Sequence, residues 1–281
     1  MSCRLIALDM DGTLLMSDKS VHPDTIRDIE QAGRRGIHVV YCSGRAIPEI
    51  LPYVSRLKTM RYAVCMSGAL VYDFKESRSI YRRAIACEYV QKIIDAAKED
   101  DGMVHFLTDK ESIVRADQVV HMGDFHMGVY QPMFIKITRK VTDISEEAKH
   151  YDFIPKVNVY FHSKEARQQA YEMLKDFPLS FAFAEGTSLE MTAQGVTKAA
   201  GLKELAKYLG ISMEETLAVG DADNDRAVLE AAGFSVAMGN AERKIKEICD
   251  AVTRDNDHNG VGEAIKRYVM TECQVSEKNR E

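Results

Sequence analysis

The 281 residues carry no basic excess, no long apolar run and no paired-cysteine spacing. Each absence removes a class of function. The formal net charge is −6, which argues against nucleic acid as the main partner, because binding a phosphate backbone calls for surplus cations. No apolar stretch approaches the ~18 residues of a membrane helix, so no membrane partner is expected. The N-terminus reads without a signal peptide, since the apolar run Leu5–Leu8 is short and leads straight into Asp9. The six cysteines, Cys3, Cys42, Cys65, Cys87, Cys249 and Cys273, form neither a C-x-x-C pair nor a structural zinc spacing. That usage suits reduced thiols in a cytoplasm better than a disulfide framework. Neither G-x-x-x-x-G-K-[ST] nor G-x-G-x-x-G after a strand occurs, which excludes the common nucleotide-cradling loops. Internal repeats and low-complexity tracts are also missing. The expectation is a cytoplasmic protein, a monomer or small homo-oligomer, with chain enough for two modest domains.

What is present is an alternation of short apolar runs with amphipathic stretches. Leu5–Leu8 is apolar without alternation, the pattern of a strand buried on both faces of a parallel sheet. Pro23 opens a helix pattern through Ile26, Ile29 and Ala32 that Gly36 closes. Ile37–Tyr41 and Tyr62–Met66 read as further strands, with a helix pattern from Ala46 to Leu57 between them and a hairpin, Ala69–Tyr72 against Ser79–Tyr81, after them. The last third alternates likewise, with a helix over Val196–Leu209, a strand at Leu217–Val219, a helix up to Ala232, then Phe234–Ala237, Glu242–Ile248, Ala251–Thr253 and Gly262–Val269. Such alternation implies an α/β fold with a doubly wound, Rossmann-like parallel sheet. Residues 84–186 keep a different rhythm. Phe134–Ile137 and Val157–Phe161 read as half-exposed strands, and Tyr89–Ala97 and Ala166–Leu174 as helices. This segment is expected to be an inserted α+β domain, splitting the first domain into 1–83 and 187–281. The tail Gln274–Glu281 is polar and expected to be disordered.

Ligands of open α/β sheets bind beyond the carboxyl ends of the strands. There the pattern puts Asp9 and Asp11 after the first strand, Ser43 after the second, Asp221 and Asp225 after a later one, and Lys198 at a helix start. Hard oxygen ligands favour magnesium. A carboxylate can attack phosphorus and form an acyl phosphate, and Asp9, at the last strand position, is the candidate nucleophile. Asp11 is placed to protonate the leaving oxygen and later to activate water. Thr13, Ser43 and backbone N–H groups can hold phosphate oxygens, and Lys198 can screen the repulsion between carboxylate and phosphate. Taken singly, each feature has a structural use: a turn for Asp9–Asp11, helix caps for Asp221 and Asp223, a solvated lysine for Lys198. Their convergence on one sheet edge is what favours chemistry.

Together these segments resemble the haloacid dehalogenase superfamily. Leu8-Asp9-Met10-Asp11-Gly12-Thr13-Leu14 is similar to its first motif, Ser43-Gly44-Arg45 to its second, Lys198 to its third, and Gly220-Asp221-Ala222-Asp223-Asn224-Asp225 to its fourth. The insert between the second and third motifs resembles the Cof-type subfamily, with its large C2B-type α/β cap. The resemblance implies a magnesium-dependent phosphatase, hydrolysing a small phosphorylated metabolite such as a sugar phosphate, pyridoxal phosphate or flavin mononucleotide. It implies Asp9 as nucleophile and metal ligand, and Asp11 as acid/base whose backbone carbonyl meets the metal. Asp221 is implied as the third protein ligand, with Asp225 supporting the metal's water shell. Met10, Thr13, Ser43, Gly44, Lys198 and Asn224 are implied as phosphate contacts. Two positions depart from the pattern: Ser67 stands where the family usually has Asn, and Ala199 follows Lys198 where it usually has Gly.

The same resemblance leaves two alternatives, a sugar phosphomutase and a phosphometabolite-binding protein without turnover. The retained Asp9, Asp11 and Asp221 weigh against the second. In the cap, His121, Asp124, His126 and Lys156 are candidates to face substrate. His121–His126 reads as a loop with exposed histidines in preference to a second metal site, and Tyr160 and Phe161 as strand packing in preference to a stacking platform.

Overall fold

The computed structural model describes residues 3–184 and 186–270. Cys273 and the tail expected to be disordered, Gln274–Glu281, lie outside the described residues. Contacts divide the chain into two compact units, one formed by Met1–Gly44, Pro52–Tyr81 and Thr197–Glu281, the other by Arg45–Leu51 and Arg82–Val196.

The first unit is built on an eight-stranded sheet. Its early strands are β1 (Leu5–Leu8), β2 (His38–Cys42), β3 (Tyr62–Cys65), β4 (Leu70–Asp73) and β5 (Arg78–Arg82). All four residues of β1 are buried, as a strand sandwiched by helices on both faces requires. The helix Pro23–Arg34 returns the chain from β1 to β2. His22 caps it, accepting from the Asp24 N–H at 3.2 Å, and Pro23 starts it where the missing N–H costs nothing.

The chain then leaves to make the second unit's strands: β6 (Met103–Leu107), β7 (Ser112–Arg115), β8 (Arg139–Val141), β9 (Lys156–Tyr160), β10 (Leu179–Ala184) and β11 (Ser188–Ala193). They form one sheet in the order β10-β11-β9-β6-β7-β8, antiparallel except for β7 with β8. One face is apolar: Val104, Phe106, Ile113, Val157, Val159, Leu189 and Met191 pack with residues of the helices Cys87–Lys98 and Lys164–Leu174. Phe161 is fully buried in that cluster and Tyr160 in a smaller one on the other face, so both serve packing, as expected.

Several details differ from the sequence reading, among them Arg45–Leu51, expected in the first domain, which clusters with the second unit, and Lys156–Tyr160, expected to be half-exposed, which is buried throughout. Phe134–Ile137 is the end of a helix, Gln131–Ile137, and not a strand. Pro132 stands in its first turn, and of the four residues only Phe134 is anchored, its ring 4.7 Å from that of His105. A four-residue apolar window cannot separate helix from strand, and here the proline decides. Ser188–Ala193, which the sequence reading left in the first domain, pairs with both β9 and β10 and so belongs to the second unit's sheet.

The chain re-enters the first unit through the helix Lys198–Leu209 and adds β12 (Thr216–Gly220), β13 (Phe234–Ala237) and β14 (Ala251–Val252). The completed order is β14-β13-β12-β1-β2-β3-β4-β5. From β14 to β3 all neighbours are parallel, and β4 runs antiparallel to β3. The chain thus grows outward from β1 to one side and, after the excursion, from β12 to the other. The junction of β1 and β12 is a topological switch point, where helices on opposite faces leave a crevice at the strand ends. Among the described residues, no helix is long and apolar enough to cross a membrane, and the five cysteines are free thiols.

Candidate active site

Leu8 of β1 lies beside Val219 of β12, so the residues that follow these strands enter the switch-point crevice together. Asp9 is 6% exposed, and its N–H donates to the Val219 carbonyl at 3.1 Å, which continues the ladder one step beyond the strand. Gly12 then turns the chain with φ at +79°, and any Cβ there would fall on the Asp221 carboxylate. Glycine is needed for the dihedral and for the approach alike. Leu14 and Leu15 donate back to the carbonyls of Asp9 and Met10 at 3.1 and 2.8 Å, closing the loop over the strand end.

Lys198 opens its helix directly after the cap Thr197, whose hydroxyl accepts from the Ala200 N–H at 3.1 Å. The position of this helix start depends on a tight turn after β3, where Met66, Ser67 and Gly68 all carry positive φ. A Cβ on Gly68 would run into the Thr197 carbonyl. The Lys198 ammonium, 1% exposed, donates to Asp9 Oδ1 at 2.6 Å and to Asp225 Oδ1 at 2.5 Å. Asp225 uses its other oxygen to accept from the N–H groups of Asp221 and Ala222, at 3.0 and 3.2 Å. The Thr13 hydroxyl donates to Asp221 Oδ1 at 2.9 Å.

The electrostatics follow from burial. Desolvation pushes the Asp9 carboxyl well above its ordinary pKa, and Asp225 adds to the push while Lys198 opposes it. Asp221 is pushed up to about 6, again by burial first, against the hydrogen bond from Thr13. Burial works against the Lys198 ammonium, yet Asp225 and Asp9 hold its pKa well above the usual lysine value. One ammonium among three carboxylates leaves negative charge in excess. Ligand atoms of Asp9, Asp221 and Asp225 all lie within 4.8 Å of one another, the one such group among the described residues able to hold a metal ion. A hard divalent cation fits this all-oxygen donor set and its charge.

Asp221 binds a proton more tightly folded than unfolded, so its contribution to stability is present at low pH and is lost as pH rises from about 4 through about 6, and burial raises Asp9 in the same direction. A cation binding the same oxygens offsets that loss. Magnesium is therefore expected to raise the melting temperature more at pH 7 than at pH 5. An increment independent of pH across this window would show that the ion does not bind these carboxylates.

The structure brings together Asp9, Thr13, Lys198, Asp221 and Asp225 of the sequence-derived set. Thr13, read there as a phosphate contact, here spends its proton on Asp221. Asp11 is over a third exposed and pairs with Lys19 at 2.8 Å. Ser43 is buried at the end of β2, where its carbonyl accepts from the Ser67 N–H at 3.1 Å, and Gly44 is half-buried beside it. Met10 is fully buried, and Asn224 is exposed in the turn Asp223–Asp225. In the second unit, His121, Asp124 and His126 are exposed, with His126 bonded to the His162 carbonyl, while Lys156 is buried and paired with Glu190 at 2.7 Å. Sequence reasoning missed the residues that clamp the loop after β1. Asn240 donates to the Gly12 carbonyl at 2.8 Å, Asn256 to the Leu15 carbonyl at 2.9 Å, and Asp257 accepts from the Ser17 N–H and hydroxyl at 2.8 and 2.6 Å. These partners are more than 200 positions away in the chain and carry no local pattern.

The family model for haloacid dehalogenase-like hydrolases matches residues 6–265. The phosphatase YwpJ of Bacillus subtilis (strain 168) is 30% identical, the match covering 95% of this chain and all of that one. The 5-amino-6-(5-phospho-D-ribitylamino)uracil phosphatase YcsE of the same organism is 27% identical, with 95% and 96% covered. Among solved structures, a haloacid dehalogenase-like hydrolase from B. subtilis is similar at a TM-score of 0.84 and 27% identity, covering 95% of this chain and 100% of that one.

Proposed function

We propose, from the premise that this chain belongs to the haloacid dehalogenase-like hydrolases and is a phosphoric monoester hydrolase, that it dephosphorylates a small metabolite through a phosphorylated Asp9. The observation that carries the reading is the buried Asp9–Lys198–Asp225 chain at the switch point, with Asp221 within reach of both carboxylates.

Asp9 takes its hydrogen bond on Oδ1, and Oδ2 attacks phosphorus. The bond from phosphorus to the ester oxygen breaks, and Asp11 in its acid form gives the departing oxygen a proton. An acyl phosphate is left on Asp9. Asp11, now a carboxylate, takes a proton from water as the water oxygen attacks phosphorus. The Asp9 oxygen–phosphorus bond breaks, inorganic phosphate leaves, and both carboxyl groups return to their starting states. The exposed Lys19–Asp11 pair is weak enough to exchange partners at each stage. Lys198 holds the nucleophile in place, and its charge offsets the repulsion between carboxylate and phosphoryl group. Ser43, Gly44 and Asn224 hold the remaining phosphate oxygens. Magnesium, held by the side chains of Asp9 and Asp221 with the Asp11 carbonyl and supported by Asp225, supplies charge neutralisation for the phosphoryl oxygens when bound.

The test is release of inorganic phosphate from a panel of sugar phosphates, pyridoxal phosphate, flavin mononucleotide and 5-amino-6-(5-phospho-D-ribitylamino)uracil, the last because YcsE is named for it. Release with magnesium that a chelator abolishes is the expected result. Turnover that persists undiminished in chelator would remove the metal from the reading, and phosphoryl return to sugar without free phosphate would make the protein a mutase.

A further inference from the structure

Asp11 lies two residues beyond Asp9, whose N–H makes the bond that extends the β1 ladder. Its carboxylate is over a third exposed, and its ion pair with Lys19 is a surface pair, of little strength by itself. A proton donor must nonetheless meet the departing oxygen closely, since a misplacement of about 1 Å can cost on the order of 100-fold. The aim of the side chain therefore depends on how the backbone beneath it is held. Asp11 and Leu15 form an isolated bridge, as do Leu15 and Val21. The Met16 N–H donates to the Ser20 carbonyl at 2.8 Å, so the loop after β1 is a short folded ribbon with Asp11 on one of its arms.

Two amide side chains from distant loops reach this ribbon. Asn240, which follows β13, donates to the Gly12 carbonyl at 2.8 Å. Asn256, in the turn Asn256–His258 after β14, donates to the Leu15 carbonyl at 2.9 Å. Gly12 is the residue after Asp11 and Leu15 is its bridge partner, so the two amides bracket Asp11. They are also tied to each other, because the Asn256 N–H donates to Asn240 Oδ1 at 3.1 Å. Asn240 thus donates and accepts through one side chain, which a carboxylate cannot do. The loops that carry the amides are knit together. The Gly239 N–H donates to the Arg254 carbonyl at 2.9 Å and the Thr253 N–H to the Ala237 carbonyl at 3.0 Å. A Cβ on Gly239 would fall 2.7 Å from the Asp255 nitrogen. The frame is therefore stiff, and it belongs to the same compact unit as Asp11. It fixes a carbonyl on each side of the Asp11 backbone.

We infer that Asn240 and Asn256 are positioning residues for Asp11, acting through the backbone to aim its carboxyl at the departing oxygen. The inference rests on the phosphatase reading above, in which Asp11 gives that oxygen its proton. It carries a consequence that support of the loop alone does not. The cost of losing either amide depends on how much the leaving group needs a proton. A nitrophenolate leaves as a stable anion, whereas an alkoxide must be protonated as it goes.

The test is kcat/KM on two ring-bearing monoesters, p-nitrophenyl phosphate and benzyl phosphate, with magnesium present. The proteins are the wild type, Asn240→Ala, Asn256→Ala and Asp11→Asn. kcat/KM is compared because it reports the transition state that expels the alcohol. Each alanine variant is expected to lose about 10- to 100-fold on benzyl phosphate and no more than about threefold on p-nitrophenyl phosphate. Asp11→Asn should show the same bias more strongly. An equal loss on both esters in the alanine variants, or no loss on either, overturns the inference when Asp11→Asn keeps its bias. The two alanine variants release different carbonyls, so if one fails to fold the other decides. Equal loss on both esters in Asp11→Asn would instead remove Asp11 as the proton donor. A wild type that frees phosphate from neither ester would sink the phosphatase reading. Either of these last two results takes the inference with it.

Discussion

Replacing Asp9 by Asn is expected to lower phosphate release by about 10⁴-fold or more while leaving a folded protein. The amide is nearly the size of the carboxylate but a poor nucleophile, so chemistry is lost without a cavity. Stability should move little because two effects oppose each other. Burial and the carboxylates of Asp225 and Asp221 penalise the Asp9 charge, whereas Lys198 favours it. The substitution relieves the first and forfeits the second. The measurements are kcat under saturating magnesium and the midpoint of a denaturant titration. Acid-quenched enzyme with ³²P-labelled substrate adds a direct check, because label should stay on the wild-type chain and be missing from Asp9→Asn. Substantial residual turnover would remove Asp9 as the nucleophile.

Lys198→Met is expected to harm stability as well as activity. Methionine fills a similar volume, but it leaves Asp9 and Asp225 facing each other in a buried site with no ammonium between them. Breaking a buried pair by removing one partner costs about 3–5 kcal/mol. Turnover should fall on the order of 10²- to 10³-fold with the loss of charge compensation. The stability loss should shrink at lower pH, where Asp9, whose carboxyl burial already holds well above its ordinary pKa, regains its proton, and shrink again at neutral pH with magnesium. Equal stability of variant and wild type at pH 7 would show that the ammonium is not what makes this cluster tolerable.

Much of the first unit was legible because buried parallel strands announce themselves. Leu5–Leu8 and Leu217–Val219 are continuous apolar runs, and polar residues can follow such runs only where the chain leaves the sheet. That made Asp9 and Asp221 conspicuous. Lys198 was legible from its place at the start of the helix pattern over Val196–Leu209. The second unit was harder. Its sheet has a core on one face and buried polar residues on the other, so the apolar–polar alternation of Val157–Phe161, which reads as a half-exposed strand, belongs to a strand that is buried throughout. Phe134–Ile137 was misread because its apolar content reflects one anchored ring. The loop clamp of Asn240, Asn256 and Asp257 was invisible for another reason. A single asparagine looks alike in any loop, and only the closed sheet shows which carbonyl it meets.

The neighbour relation between β1 and β12 also constrains how the molecule comes into being. Leu5 and Thr216 are partners in one ladder, so the first strand emerges from the ribosome about 200 residues ahead of the strand it must pair with. At synthesis rates of about 5–20 residues per second, that is a wait of at least ~10 seconds with one edge of β1 unpaired. Strands β6 to β11 are complete before β12 exists, and they pair only among themselves. All the strands of the second sheet are therefore synthesised while the carboxylate site is still in pieces. Asp9 meets Asp221 and Asp225 only at the end, and a chain truncated before Gly220 has none of this chemistry to misdirect.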